Sequence, residues 1–252
     1  MYLGLCSITF RDKSVDELLQ LVQEHQLNTI EWGSDVHVRP DDLEQVRAIG
    51  RKSAEAGLQE ISYGTYYRVG EEENDHSFEE LVQAAQALGA KELRVWAGKK
   101  GSALFSEADV ERLVGDLQAC CRTAAAEGLG VILEYHRNTY TDTPETAREL
   151  LEAADEPNLT TAWQPDVIGD MDHHQRCIEI LGPWIDTIHV FQWDELPNRY
   201  PLADGLETWK QYVAWLRAAG FTRERYLLEF VRGDEEAQFA ADAEALKQIV
   251  EA

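Results

Sequence analysis

The stretch "SEADVERLVGDLQACCRTAAAEGLGVILEYH", residues 106–136, contains one helix and one strand of a pattern that recurs along the chain. Ser106 with an acidic residue three positions later is a typical helix start, and Gly128 in "EGLG" is a typical helix end. The apolar run "GVILEY" that follows has the length of a buried strand. The stretch therefore predicts a helix that leads directly into a strand.

Seven other short apolar runs have the same relation to a neighbouring helix. They are "YLGLCSITF" (2–10), "LNTIEW" (27–32), "LQEISY" (58–63), "ELRVWA" (92–97), "LTTAWQ" (159–164), "IDTIHVF" (185–191) and "RYLLEF" (225–230). Ser14, Ser77 and Pro144 mark further helix starts, and Gly57 and Gly220 mark helix ends. Eight such units without a linker predict a single-domain (β/α)8 TIM barrel over residues 1–252. A doubly wound open sheet is the alternative, and the lack of GxGxxG after the first strand disfavours it.

The composition restricts the class of protein and its partners. The 252 residues carry a net charge of −24, and so acidic a surface repels polyanions, which disfavours nucleic-acid binding. No run approaches the roughly 18 uncharged apolar residues of a membrane span. The N-terminal "MYLGLCSITF" predicts a first strand rather than a signal peptide, so we expect a cytoplasmic protein. The four cysteines form no regular framework, which predicts reduced core thiols.

Polar residues that can bind metal lie near the ends of four consecutive predicted strands. They are Glu134 in "VILEYH", Gln164 and Asp166 in "TAWQPD", His189 in "TIHVFQW" and Glu229 in "YLLEF". The carboxyl ends of the strands form the active site of a TIM barrel. Ionising a group so late in an apolar strand is costly unless it is paired or bound to metal. Two carboxylates, an imidazole and an oxygen donor predict one divalent ion: Mn²⁺, Mg²⁺, Co²⁺ or Zn²⁺.

Gln164 and Asp166 compete for the fourth ligand position, because both point the same way along the strand. Gln164 lies at the same depth as Glu134, Glu229 and His189, whereas Asp166 lies two residues further along, beyond Pro165. Two glutamates with a neutral histidine and a neutral amide also sum to −2, which balances a divalent ion. We therefore predict Gln164 as the fourth ligand, directly or through a water molecule, and Asp166 as a group that supports a ligand or anchors the loop.

These residues resemble the metal site of the xylose isomerase-like barrel superfamily, and the resemblance covers essentially the whole chain. The superfamily includes sugar phosphate isomerase/epimerase-like proteins, ketose 3-epimerases, hydroxypyruvate isomerase, inosose dehydratase and the AP endonuclease family 2 fold. The segments "IEWGSDVHV", "SYGTYYRVG", "LRVWAG" and "HVFQW" resemble the first of these groups. The resemblance implies that Glu134 and Glu229 bind the metal and exchange a proton with the substrate, and that His189 is a metal ligand. Members often dimerise or tetramerise, so a homo-oligomer is compatible with it.

The chain departs from the family pattern at three positions. The strand-six Asp and the His three residues later are Gln164 and Val167 here, and the acid of the strand-seven H-x-x-D pattern is Gln192. The AP endonucleases also use extra histidines from strands three and four, and "ISYGTYY" and "LRVWAG" supply none. These differences, together with the acidic charge, argue against DNA repair.

Five further residues near strand ends are candidates for substrate binding: His37, Arg68, Trp96, His136 and Trp193. An arginine can hold a carboxylate or phosphate, and the aromatic rings can form the walls of a sugar site. An ordinary loop histidine is the alternative for His37, and a core lid is the alternative for the tryptophans.

Three other polar residues are open to a second interpretation. Arg94 lies inside a strand, where it either binds an anionic substrate group or forms a structural ion pair. His173 and His174 are adjacent at a helix start and do not share a helical face, so we expect both at the surface.

The residues and the resemblance together predict an isomerase or epimerase that depends on a divalent metal and acts on a small sugar or polyol. The reaction passes through an enediolate, with Glu134 and Glu229 as the acid/base pair. One alternative is an inosose-type dehydratase with the same metal site. The other is a non-catalytic sugar-binding barrel with a decayed site, which the loss of the strand-six acid favours.

Overall fold

The computed structural model describes residues 1–166, 169–194 and 198–251, so Val167 lies outside the described residues. Eight parallel strands pair in chain order, and the first also pairs with the last, which closes the sheet into a barrel. This confirms the single (β/α)8 barrel. Within the described residues, no helix is long and apolar enough to cross a membrane.

The strands and helices alternate along the chain. The strands are β1 (Tyr2–Cys6), β2 (Thr29–Gly33), β3 (Glu60–Val69), β4 (Glu92–Ala97), β5 (Gly130–Glu134), β6 (Leu159–Trp163), β7 (Ile185–Val190) and β8 (Arg225–Leu228). The helices are α1 (Val15–Glu24), α2 (Leu43–Glu55), α3 (Phe78–Leu88), α4 (Glu107–Ala126), α5 (Pro144–Ala154), α6 (Met171–Leu181), α7 (Leu206–Ala218) and α8 (Glu236–Val250).

The helix boundaries have the local causes that the sequence indicates. Ser14, Ser77 and Ser106 each form a complete capping box with an acidic residue three positions later. Pro144 occupies the first turn of α5. Gly128 lies two residues after the end of α4 and has a φ of 73°. This left-handed conformation is unfavourable for residues that have a side chain.

The main apolar core lies between the sheet and the helix layer. Its largest fully buried side chains include Trp32, Trp163 and Trp209. The four cysteines are all buried and free, as predicted. The inside of the barrel carries many polar groups instead, among them Glu31, Arg94 and Arg225. The barrel interior is therefore where buried charge is concentrated.

Candidate active site

The four predicted metal ligands lie at the carboxyl-terminal mouth of the barrel. Glu134 is the last residue of β5, Gln164 follows β6, His189 lies in β7 and Glu229 follows β8. Gln164 is half-buried and the other three are buried. Neighbouring parallel strands hold them together, so closure of the barrel brings distant parts of the chain to one point.

The ring of His189 is at the centre of this group. Its Nδ1 lies 3.8 Å from Glu134 Oε1 and 3.8 Å from Glu229 Oε2, and neither ring nitrogen has a hydrogen-bond partner. The amide nitrogen of Gln164 donates to Glu134 Oε1 at 3.3 Å and to the Tyr135 carbonyl at 3.1 Å. The structure thus brings the four residues together. The amide nitrogen of Gln164, rather than its oxygen, faces Glu134.

Two buried charged residues, Glu31 of β2 and Arg94 of β4, complete the group. Arg94 donates through Nε to Glu31 Oε1 at 2.9 Å and through Nη1 to Glu134 Oε2. Burial acts to raise the pKa of Glu31, but the charge and the hydrogen bond of the Arg94 guanidinium act against it, and the pKa is lowered. Of the two interpretations of Arg94, the structure therefore shows the ion pair.

The sequence analysis missed Glu31, although a signal for it was present. Glu31 lies late in the apolar run "LNTIEW", as the four predicted ligands do in their own runs. Gly64 of β3 provides the space for the pair, because a Cβ there would lie 2.8 Å from Glu31 Oε1 and 3.0 Å from Arg94 Nη2.

Glu229 differs from Glu134 in its surroundings. Burial, with a further contribution from the negative charge of Glu134, raises the pKa of Glu229 to about 7. Its one ion-pair contact among the described residues is with His189, whereas Glu134 is also paired with Arg94. The two glutamates therefore differ in the charged groups that contact them.

The donors around His189 are suited to a metal ion. On the Nδ1 side are the oxygens of Glu134 and Glu229. On the Nε2 side, ligand atoms of Cys6, Glu31 and His189 all lie within 4.8 Å of one another. Two bonds of about 2.0–2.3 Å to one ion span up to about 4.3 Å, so separations of 3.8 Å fit a shared ion. The unpartnered, buried nitrogens of His189 support this fit.

A cavity of about 60 Å³ opens beside this group. Gln164 lines it and connects it to Glu134, and Asp166, His136 and Trp193 lie in its wall. Trp193 stacks on Phe191 with ring centroids 4.3 Å apart. Three of the predicted supporting and substrate residues therefore share one cavity with a predicted ligand.

Arg68 and Trp96 extend this wall. The guanidinium of Arg68 lies 4.7 Å from the centre of the Trp96 ring, and that ring lies 4.5 Å from the ring of His136. Arg68 also donates to the Gly98 carbonyl at 2.8 Å. Burial lowers the pKa of His136, which favours its neutral form. The predicted arginine, tryptophan and histidine thus form one continuous row of contacts.

Two histidines lie elsewhere. Both ring nitrogens of His37 are engaged, by Ser7 Oγ at 3.0 Å and by the Lys13 carbonyl at 3.1 Å. Its role in substrate binding stays a prediction. The surface position expected for His174 is wrong: it is buried, and it contacts the Tyr212 hydroxyl at 2.6 Å and the Asp166 carbonyl at 2.9 Å. The apolar environment between α6 and α7 outweighs the local sequence pattern.

A TIM barrel with carboxylates and an imidazole at its carboxyl-terminal mouth defines a class of barrel proteins with a buried ionic site. Within that class, the chain belongs to the xylose isomerase-like TIM barrel family, whose model matches residues 19–249. It is similar to a 3-dehydroshikimate dehydratase from Bacillus anthracis, with 28% identity over 233 residues, 82% of this chain and 80% of the relative.

Solved structures show the same fold over nearly the full length. A probable 3-DHS dehydratase of petrobactin synthesis from Bacillus anthracis has a TM-score of 0.79 and 21% identity, covering 98% of this chain and 99% of that one. A D-psicose 3-epimerase has a TM-score of 0.74 and 13% identity, and the match covers 98% of this chain and 97% of that one. The IOLI protein with a bound zinc atom has a TM-score of 0.77 and 15% identity, and the match covers 99% of this chain and 98% of that one. The relatives thus include a dehydratase, an epimerase and a zinc-binding protein.

Proposed function

We propose that this protein is a dehydratase that removes a proton next to a carbonyl group of a small hydroxylated substrate and then eliminates water. Glu229 is the base in this proposal. The observation that carries it is the difference between the two glutamates: Arg94 is bonded to Glu134, while Glu229 has no cationic Arg or Lys partner among the described residues. Without a bound ion, burial raises the pKa of Glu229 to about 7, so this carboxyl takes up a proton more readily than an exposed glutamate.

One base is sufficient for this elimination. Glu229 takes the proton from the carbon next to the carbonyl, and the electron pair of the broken C–H bond forms an enolate. The enolate then collapses, the bond to the β-hydroxyl breaks, and the proton held by Glu229 leaves with that hydroxyl as water. The products are an unsaturated carbonyl compound and water, so atoms and electrons balance.

The residues around Glu229 have separate roles. A divalent ion (Mn²⁺, Mg²⁺, Co²⁺ or Zn²⁺) held by Glu134, His189 and Glu229 would polarise the substrate carbonyl. The guanidinium of Arg94 donates to one oxygen of Glu134 and fixes its position, and Gln164 donates to the other oxygen. The cavity and its aromatic wall would hold a carbohydrate-like substrate. Arg68 at the end of that wall is suited to a carboxylate or phosphate on the same molecule.

The second candidate is the isomerase or epimerase predicted from the sequence. One observation favours it: Glu134 and Glu229 each place an oxygen 3.8 Å from the same ring nitrogen, so both carboxylates face one point. An epimerase needs two such groups on opposite faces of its substrate. Arg94 is bonded to Glu134 and not to Glu229, so only Glu229 is left without a guanidinium partner among the described residues, which is why elimination comes first.

In the test, metal-replete protein is incubated in D₂O with 3-dehydroshikimate and, separately, with a panel of ketoses. Elimination predicts a product lighter by one water in the mass spectrum. Epimerisation or isomerisation predicts deuterium next to the carbonyl without loss of mass as water. If a sample that binds Mn²⁺ forms neither product, that result contradicts catalysis and favours a sugar-binding barrel. EDTA should abolish whichever turnover is found.

A further inference from the structure

The ring of His189 lies between two groups of acidic residues and is fully buried. Its Nδ1 faces Glu134 and Glu229, and its Nε2 lies 3.9 Å from Glu31 Oε1. Neither nitrogen is hydrogen-bonded. A neutral imidazole can bind a metal through one nitrogen while the other carries a proton. Only one of the two ring nitrogens of His189 can therefore be the metal ligand.

The charges on the two sides differ. On the Nε2 side, the Glu31 oxygen that faces the ring already accepts a hydrogen bond from Arg94 Nε at 2.9 Å. A cation there would share that oxygen with a guanidinium. On the Nδ1 side there are two carboxylates, and Glu229 is free of any guanidinium or ammonium among the described residues. Electrostatics therefore places an ion on the Nδ1 side.

Access leads to the same conclusion. Glu31, Arg94 and Cys6 are at most 2% exposed, so the Nε2 side is closed inside the barrel. The Nδ1 side adjoins Gln164, which lines the cavity and bonds to Glu134. An ion that polarises a substrate carbonyl has to be reachable from that cavity.

We propose that Glu31 is a positioning residue that faces the Nε2–H of His189 and so directs Nδ1 toward the metal. A carboxylate behind the second nitrogen of a metal-binding histidine sets its tautomer and ring orientation. This inference rests on the metal site of the proposed function. Arg94 gives it a further consequence, because one guanidinium holds both Glu31 and Glu134 and thereby couples the orientation of the imidazole to that of a metal-binding carboxylate.

The test compares two matched substitutions, Glu31→Gln and Glu92→Gln. Both substitutions change a buried carboxylate that is bonded to a buried arginine into an amide. Glu92, however, lies at the opposite end of the barrel, where it is bonded to Arg225. Calorimetric titration with Mn²⁺ or Zn²⁺ should show affinity lower by about 10- to 100-fold in E31Q and unchanged in E92Q. Equal affinity of E31Q and wild type would overturn the proposal, as would an equal loss in both variants.

Spectroscopy identifies the nitrogen that binds. In zinc-loaded protein labelled with ¹⁵N-histidine, the His189 signals, assigned by their absence in His189→Gln, should show Nδ1 bound to metal and Nε2 protonated. In cobalt-loaded protein, no thiolate-to-cobalt charge-transfer band is expected, and Cys6→Ser should leave the spectrum unchanged. A charge-transfer band that disappears in C6S, or ligation through Nε2, would place the ion beside Glu31 and overturn the proposal.

The two proposals fail in different ways. If wild type binds no divalent ion, the metal site of the proposed function fails and this inference fails with it. If wild type binds an ion and E31Q binds it equally well, only the role of Glu31 is lost. If Glu31 acts as proposed but no product is formed from any substrate offered, the site binds metal without the proposed reaction.

Discussion

The barrel contains two buried ionic clusters, one at each end, and they differ in how completely their polar atoms are paired. At the amino-terminal end, Arg225 bonds to Glu92 at 3.0 Å, to Thr187 at 2.8 Å and to Asp186 at 2.5 Å. Arg223 adds bonds to Glu92 and Asp186 and, at 2.7 Å, to Glu60. Two arginines thus face three carboxylates in this network.

At the carboxyl-terminal end, among the described residues, a single arginine faces three carboxylates. Arg94 is bonded to Glu31 and Glu134, while Glu229 has no arginine or lysine partner among the described residues. Glu31 Oε2 and both His189 nitrogens are buried without a hydrogen bond.

The difference separates stability from function. In TIM barrels the amino-terminal face serves stability and the carboxyl-terminal face serves catalysis. A fully paired network leaves no donor or acceptor for a ligand. A cluster with a glutamate that lacks an arginine and an imidazole that lacks hydrogen bonds costs folding free energy, and binding of a cation can recover that free energy.

The largest effect is expected from Glu229→Gln on activity. Removing a general base lowers turnover by about 10²- to 10⁴-fold, so kcat/KM for water elimination should fall by that factor. Circular dichroism should show a folded protein, since an amide of the same shape replaces a carboxylate that lacks an arginine. A variant with near-normal kcat/KM would remove Glu229 from the mechanism.

Arg225→Met tests the opposite end. Removing one partner of a buried ionic network costs about 3–5 kcal/mol, because Glu92 and Asp186 lose their bonds to this guanidinium. Urea unfolding should show this loss, whereas kcat/KM per folded molecule should stay near that of wild type. Loss of activity without loss of stability would contradict the division between the two ends.

The stability of metal-stripped protein should depend on pH through Glu229. Its pKa is raised from 4.5 to about 7 in the folded state, so the folded protein binds this proton more tightly than the unfolded chain does. Stability from this group is fully present below about pH 4.5 and declines up to about pH 7, by about 3 kcal/mol. E229Q lacks this decline, so it should exceed wild type in stability above neutrality and match it in acid. Parallel pH–stability curves for the two proteins would show that Glu229 does not carry this cost.

The smallest effects concern the residues after β6. Gln164→Asp adds a negative charge next to the proposed ion and should tighten Mn²⁺ binding by on the order of tenfold. Asp166→Asn should leave the affinity nearly unchanged, since Asp166 lies beyond Pro165 in the cavity wall. Calorimetry on the two variants checks both, and the reverse pattern would make Asp166 the ligand.

The sequence predicted the barrel and much of the candidate site for local reasons. Capping boxes, glycine ends and short apolar runs depend on neighbouring residues, so they are visible in the chain itself. The convergence of Glu134, Gln164, His189 and Glu229 followed from one topological rule, that the carboxyl ends of barrel strands meet. Their chemical roles stay predictions.

Other features depended on contacts that no local pattern contains. His174 has the sequence context of a surface residue, yet packing against Tyr212 buries it. Arg94 could have bound a substrate anion or a protein carboxylate, and only the positions of β2 and β5 beside β4 decided between them.

The chain by itself determined the alternation of eight strands with helices, which residues stand at the strand ends, and that these residues suit a divalent ion. The tertiary structure decided that the two glutamates are unequal, because one guanidinium from β4 reaches Glu134 and not Glu229. The physical reason is that burial makes each charge depend on its immediate partners. Those partners come from strands 40 or more residues apart in the sequence.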